Sequence, residues 1–260
     1  MESPLISIVM NCYNGEKYLK ESLNSIINQT YKNWELIFFD NISTDGSKRI
    51  LEQFKDQRIK YYKSEKFVNL YDARNLAIKK CSGNFVSFLD TDDSWFSDKL
   101  EKQIELYKKD PSCSLIYSNC NIYDEEKKTE KIFVKNKLPQ GKITQELLND
   151  YRVGLLTILV KRDVFKNNFF NSNYNIIGDF DFVLKLSLST KFSGVNKSLA
   201  KYRRHSKNLS KTNFSLYVSE TKDWIKKNKE TYNQKGYSLY NQQILLKKLQ
   251  IKKFFNYFKF

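Results

Sequence analysis

Three short apolar runs in the first 90 residues each end in a cluster of polar side chains, and helix-period segments lie between them. The run at residues 5–10 (LISIVM) stops at Asn11-Cys12-Tyr13-Asn14-Gly15. The run at 35–39 (ELIFF) enters Asp40-Asn41-Ile42-Ser43-Thr44-Asp45-Gly46, and that at 85–89 (FVSFL) enters Asp90-Thr91-Asp92-Asp93. Near-continuous apolar runs of this length read as strands buried on both faces. Between the first two, Leu19, Leu23, Ile26 and Ile27 fall at i, i+4, i+7 and i+8, one face of a helix. A strand–helix–strand order requires a right-handed parallel crossover. The polar strand ends therefore gather on one edge of one sheet, which is where open α/β sheets bind ligands.

The same alternation predicts strands near 59–62 and 114–118 and helices near 45–54, 71–80 and 97–109. Ser97 is placed to cap the last helix, with Leu100, Ile104 and Tyr107 facing inward. In the helix at 71–80, Ala73, Leu76 and Ala77 are expected to face the sheet and Arg74 to point elsewhere. Residues 121–140 are polar and Lys-rich, a hairpin or loop. Residues 153–160 (VGLLTILV) read as a strand and 179–189 as a helix with Phe180, Leu184 and Leu188 on one face. The expected division is a catalytic domain over 1–210 and a helical, basic and aromatic extension over 211–260.

Composition narrows the function. The net charge is +16, carried mostly by Lys. Such charge fits nucleic acid, anionic membrane or acidic substrates. No nucleic-acid module or basic motif with interleaved aromatics stands in the first 200 residues, so no nucleic-acid partner is expected. With four Cys, no CxxC and one His, a zinc site is not expected. The Cys read as reduced thiols, with Cys12 and Cys81 buried, and no signal peptide or membrane-spanning run is visible. The expected setting is cytoplasmic, with peripheral attachment to the inner face of the membrane.

Three carboxylates within four positions, at 90, 92 and 93, repel one another unless a cation or water relieves them. Oxygen-only clusters suit Mg²⁺ or Mn²⁺, which share their shells with substrate phosphates.

The segment SIVMNCYNGEKYLKESLNSIINQTYKNWELIFFDNISTDGS, followed in order by YDARNLAIKKCSGNFVSFLDTDDSW, IIGDFDFVLKLSL and YRRHSKNLS, resembles the family 2 glycosyltransferases over about residues 5–210. The resemblance implies the GT-A fold, an α/β nucleotide-diphospho-sugar transferase sandwich with a mainly parallel central sheet, here with a C-terminal helical appendage. It implies inverting transfer of a sugar from a nucleotide-diphosphate donor, with Mn²⁺ or Mg²⁺ as cofactor and bacterial surface-glycan assembly as setting.

By resemblance, Asp92 or Asp93 coordinates the metal, and Asp90 touches ribose or water. Asp40 recognises the nucleobase. Asn41 stands where the family often has a second acid, so a UDP-sugar is preferred while thymidine and guanosine donors stay open. Tyr13 resembles the aromatic that stacks on the base, and Asn11 reaches base or ribose. Arg74 and Arg203 lie near the donor diphosphate, and His205 near the phosphates or metal. Asp179 aligns with the general base, doubling as a helix-start carboxylate, and Asp181 is the runner-up. The acceptor is a hydroxyl of a glycan or lipid-linked sugar. The alternatives are a nucleotidyltransferase acting on sugar phosphates, whose glycine- and Lys/Arg-rich phosphate loop is missing, and a basic nucleic-acid-binding protein, which explains the charge but not the ordered acidic motifs.

The tail, 244–260 (ILLKKLQIKKFFNYFKF), holds five Lys, five aromatics and no acid. As a helix it places Lys248, Lys252 and Lys259 on one narrow face beside Ile244, Ile251, Phe255 and Phe258. It either packs back on the domain or docks on an anionic membrane surface.

Overall fold

The computed structural model describes residues 3–257. The first half alternates strictly. Strands β1 (Ile6–Cys12), β2 (Trp34–Asp40), β3 (Ile59–Lys63) and β4 (Phe85–Phe88) are separated by α1 (Glu16–Ile27), α2 (Ser47–Leu51) and α3 (Leu70–Ile78). After β4 come the two-residue β5 (Ser94–Trp95), α4 (Lys99–Lys109), β6 (Leu115–Asp124), β7 (Thr129–Ile132), α5 (Thr144–Asn149) and β8 (Leu159–Lys161). The chain closes with α6 (Gly178–Ser187), β9 (Phe192–Arg204), α7 (Leu209–Thr212), α8 (Phe214–Gln234) and α9 (Tyr240–Tyr257).

One sheet runs in the order β3-β2-β1-β4-β8-β6-β9-β5, with β7 paired to β6. Strands β3, β2, β1 and β4 are parallel neighbours, as the crossover argument requires. Antiparallel β8 sits between β4 and β6, and β6 runs parallel to β9. Successive side chains of a strand point to opposite faces. Ile6, Ile8 and Met10 accordingly join α1 and α4 in one core, through Leu19, Leu23, Leu100 and Ile104. Val9, Ile37 and Val86 join α3, α6 and α8 in the other, through Ala77, Val183 and Trp224.

Several local expectations change. Helix α4 begins at Lys99, with Asp98 in the cap position and no side-chain cap bond; Ser97 lies outside it. Residues 153–160 are not one strand: a 3-10 turn over Leu155–Thr157 precedes the short β8. In α3 the expected orientation is partly reversed. Arg74 is buried and Leu76 is 36% exposed. Strand β9 (Phe192–Arg204), unassigned by pattern, is the longest among the described residues.

All four Cys are free and buried. At the start of β2, Glu35 is buried and accepts from Ser7 Oγ (2.5 Å), the Ser82 amide (2.7 Å) and Lys60 Nζ (2.6 Å). Burial raises its pKa, but Lys60 and the Ser7 and Ser82 groups outweigh burial and bring the carboxyl down to about 2. The stability it lends is full above the ordinary glutamate range and is lost as pH falls toward that value.

Helix α8 packs into the core rather than beside it. Trp224 is buried against Phe180 (centroids 4.8 Å), and Glu220 accepts the amides of Asn175 (2.7 Å), Ile176 (2.9 Å) and Ile177 (3.2 Å). Those donors precede α6, so α8 sets where α6 begins. The first part of α9 also packs inward, with Gln242 buried and bonded through its amide to Leu148 O. Farther along, Ile251 and Phe255 are exposed. The expectations for Phe258 and Lys259 lie outside the described residues.

Candidate active site

The carboxyl ends of β1, β2 and β4 carry the polar clusters onto one edge. After β2, Asp40 is 2% exposed. Its Oδ1 accepts the Ser43 amide and its Oδ2 the Tyr61 hydroxyl, both at 2.8 Å. Ile42 between them has φ +62°, a strained value for a β-branched residue. Asn41 donates to Val68 O (2.8 Å) and accepts from Val68 N (3.1 Å). Its amide is thus spent on the loop before α3. That loop carries Phe67, whose ring meets Tyr13 edge-on at 4.8 Å. Both rings are more than half exposed, at 59% and 56%. Asn11, on β1 nearby in sequence to Tyr13, has both amide atoms buried with no partner among the described residues.

After β4 the three aspartates have different surroundings. Asp90 is held by Arg74 Nη2 at 2.7 and 2.8 Å to its two oxygens. This ion pair offsets the burial of the guanidinium and keeps it charged. Asp92 Oδ2 lies 2.9 Å from His205 Nε2. The Lys207 amide donates to His205 Nδ1 (3.2 Å), and the Asn208 side-chain amide lies 3.3 Å from Nε2. Asp93 is buried, and its Oδ1 accepts the Arg203 amide (2.8 Å). Burial and the two neighbouring aspartates push the Asp93 carboxyl well up; burial and Asp90 also raise Asp92, which His205 counters. Arg203 itself donates to Asp92 O (3.0 Å) and Glu21 Oε2 (2.5 Å), clamping the turn rather than reaching outward.

Asp179 is the second residue of α6. Its Oδ1 accepts the Phe180 amide (2.9 Å) and the Tyr71 hydroxyl (3.2 Å); Oδ2 has no partner among the described residues. Gly178 makes this approach possible, because a Cβ there would stand 2.6 Å from the Tyr71 ring. Burial raises the Asp179 carboxyl, and the charge of Arg74 partly offsets it. Asp181 is not an equivalent. It is buried under Trp224 Nε1 (2.9 Å) and Lys185 Nζ (2.8 Å).

Asp92 lines two cavities. One, of about 370 Å³, is lined by Arg74, Asp90, Asp92, Asp93, Tyr151 and Asp179. The other, of about 480 Å³, is lined by Tyr13, Lys17, Tyr18, Asp92, His205 and Lys207. The structure therefore brings Asp90, Asp92, Asp93, Arg74 and Asp179 to one wall, and Tyr13 and His205 to the adjoining one.

The family model "Glycosyl transferase family 2" matches residues 7–175. The chain belongs to this family. Its relatives include the Escherichia coli UDP-Glc:alpha-D-GlcNAc-diphosphoundecaprenol beta-1,3-glucosyltransferase WfgD, 33% identical over 218 residues, covering 82% of this chain and 83% of that one. Among solved structures, Staphylococcus aureus TarS 1–349 in complex with UDP-GlcNAc superposes with a TM-score of 0.69 at 18% identity, over 85% of this chain and 66% of that one. The mannosyltransferase PcManGT from Pyrobaculum calidifontis, in complex with GDP-Man and Mn²⁺, gives a TM-score of 0.62 at 15% identity, over 86% of this chain and 65% of that one. The chain thus spans just under two thirds of these solved chains. The likeness shows the GT-A fold of a family 2 glycosyltransferase.

Reading by pattern missed Phe67, Tyr61, Tyr71, Tyr151 and Glu220. Phe67, Tyr61, Tyr71 and Glu220 each meet a partner 20 or more residues away, and Tyr151 meets the Phe180 ring, so no local pattern records them.

Proposed function

We propose that the protein is an inverting glycosyltransferase that moves a sugar from a UDP-sugar to a hydroxyl of a lipid-linked glycan in bacterial surface-polysaccharide assembly. One observation carries this reading: Asp92 lines two cavities, one walled by Tyr13 and the other by Asp179. A donor laid across Asp92 places its base toward Tyr13 and its sugar toward Asp179. The names of the E. coli relative and of the TarS complex print UDP-sugars, and the E. coli name prints a diphosphoundecaprenol-linked acceptor.

Base recognition falls to Asn11 and the Tyr13–Phe67 pair, while Asp40, bonded to Ser43 and Tyr61, holds the loop beside them. An amide with a free donor and a free acceptor matches the adjacent carbonyl and N–H of a uracil edge. Asn41 serves the Phe67 loop instead.

A divalent cation, Mn²⁺ or Mg²⁺, fits the exposed side of Asp92. Among the described residues no three His, Cys, Asp or Glu side chains form a ready cage. Few protein ligands with substrate phosphates completing the shell is the usual Mg²⁺ arrangement. Asp93 is turned inward, and His205 spends both ring nitrogens on Lys207 and Asp92, so it orients Asp92. When bound, the cation supplies positive charge to the leaving diphosphate. Arg74 neutralises Asp90, which lowers repulsion at that wall. Asp179 Oδ2 takes the proton of the acceptor hydroxyl as its oxygen bonds to the anomeric carbon. The bond from that carbon to the diphosphate breaks on the opposite face, which inverts the centre.

Calorimetry against UDP, GDP, dTDP and RNA, with and without Mn²⁺, tests the reading. Tight binding of UDP that needs Mn²⁺ is expected, followed by hydrolysis of a UDP-sugar in a donor screen. Binding of RNA in place of any nucleoside diphosphate overturns it.

No helix among the described residues is long and apolar enough to cross a membrane. The exposed end of α9, with Phe255 62% exposed and Lys252 and Lys253 beside it, is the proposed contact with an anionic surface. Each Lys near such a surface is worth about 1 kcal/mol. The protein is expected to sediment with anionic vesicles at low salt and to leave them at high salt. Ile251→Ser with Phe255→Ser should release it, and unchanged sedimentation would defeat the idea.

A further inference from the structure

A third cavity, an open cleft of about 650 Å³, runs between α5, α6, α8 and α9. It shares Tyr151, Ile176, Asp179 and Ser210 with the cavity that holds the aspartates. The two adjoin at these residues as an inner and an outer limb, and only the inner limb is needed for the donor and the attacking hydroxyl.

The outer limb has a graded chemistry. At its inner end, the Tyr151 hydroxyl is buried with no partner among the described residues, and so is Gln242 Oε1 on α9. Leaving such groups unpaired is unfavourable, so a ligand that bonds them recovers that cost. Gln242 Oε1 accepts only, which suits a sugar hydroxyl or amide N–H and repels a phosphate. Farther out the walls are Phe180, Ile244 and Leu245. At the rim stands Lys248, exposed and in no ion pair among the described residues. The one carboxylate on the same rim, Asp150, is paired with Arg152 at 2.7 Å. A polar inner end, an apolar wall and an uncompensated cation are the complement of a sugar joined through a diphosphate to a lipid.

We infer that this cleft is the acceptor's second subsite: α9 forms the wall that receives the diphosphate and first isoprenoid units of a lipid-linked sugar whose hydroxyl lies at Asp179. The inference rests on the functional reading above and names the part of the acceptor that the outer limb takes. It gives the first part of α9 a role separate from that of its exposed end. The helix packs against α5 and α8 to build the cleft, and farther along Ile251 and Phe255 are exposed.

The test uses farnesyl diphosphate as probe, titrated calorimetrically into the full chain with Mn²⁺ and saturating UDP. Saturating UDP keeps the probe's diphosphate out of the donor site. One probe is expected to bind per chain, at least 10-fold tighter than farnesol or inorganic diphosphate. Lys248→Glu should weaken it about 10-fold, and Leu245→Asp should do the same through the apolar wall. Neither should move the thermal midpoint or the affinity for UDP. Equal binding to parent and Lys248→Glu, or displacement of the probe by UDP, overturns the inference. Failure to bind UDP with the probe still held sinks the functional reading and leaves the lipid-diphosphate cleft standing; failure to bind the probe with UDP still held does the reverse.

Discussion

Asp179→Asn is expected to lower sugar transfer by about 10²–10⁴-fold, the usual cost of removing a general base. UDP affinity should hardly change, since Asp179 lies on the cavity beyond Asp92. Asp179 Oδ2 has no partner among the described residues, and burial raises the carboxyl above the ordinary aspartate value of about 3.9 while Arg74 limits the rise. A base works deprotonated, so kcat/KM should fall as pH drops through the raised pKa. The acid limb should therefore lie above the ordinary aspartate range, and it should disappear in the variant. The sign for stability is opposite. A carboxyl whose folded pKa is raised costs stability once pH exceeds that of the unfolded chain. Asp179→Asn should thus melt no lower than the parent at neutral pH. The groups facing it are Tyr71, Arg74, Asp90 and Tyr151. A variant that turns over like the parent would reduce Asp179 to a helix-start carboxylate. Asp181 would not then inherit the role, because Trp224 and Lys185 already occupy its oxygens.

Asp92→Asn is expected to be the other near-complete loss. Charge stabilisation of a leaving group by a bound cation is worth several kcal/mol, on the order of 10³-fold or more in rate. The amide keeps the size of the carboxylate and can still meet His205, so the turn should stay folded. What it loses is the negative charge. The Mn²⁺ dependence of UDP binding, read by calorimetry, should therefore vanish along with transfer. His205→Ala should be milder, about 10–100-fold, as expected of a group that orients a ligand from behind. Asp93→Asn should act mainly on stability, since that carboxylate accepts the Arg203 amide inside the protein. Full activity of the parent in excess EDTA, in a preparation shown to be metal-free, would overturn the assignment.

Much of the first half of the chain was legible because its information is local. Buried parallel strands write themselves as apolar runs, and α1 writes its buried face as a 3.6-residue period in Leu19, Leu23 and Ile26. The crossover rule then decides which end of each strand is the shared edge, so Asp40, Asp90 and Asp92 could be gathered before any contact was known.

The second half was less legible for a physical reason. Strand β9 (FSGVNKSLAKYRR) mixes buried and half-exposed positions and pairs with β6 through two register shifts, so it shows neither an apolar run nor clean alternation. Arg74 looked wrong for a sheet-facing position because its burial depends on Asp90, a partner 16 residues away on another element. The 3-10 turn before β8 bends an apolar stretch that propensity alone reads as straight, since Thr157 Oγ1 bonds back to Gly154 O at 2.6 Å. By itself the sequence determined the strand ends, the acidic cluster and the order of the crossovers, because hydrophobic period and chirality act over a few residues. Only the tertiary structure decided which aspartate is held inward, which lies on the wall of two cavities, and that α9 packs against α5 and α8. Those outcomes depend on charges and hydrogen bonds between residues far apart in the chain, which no local pattern records.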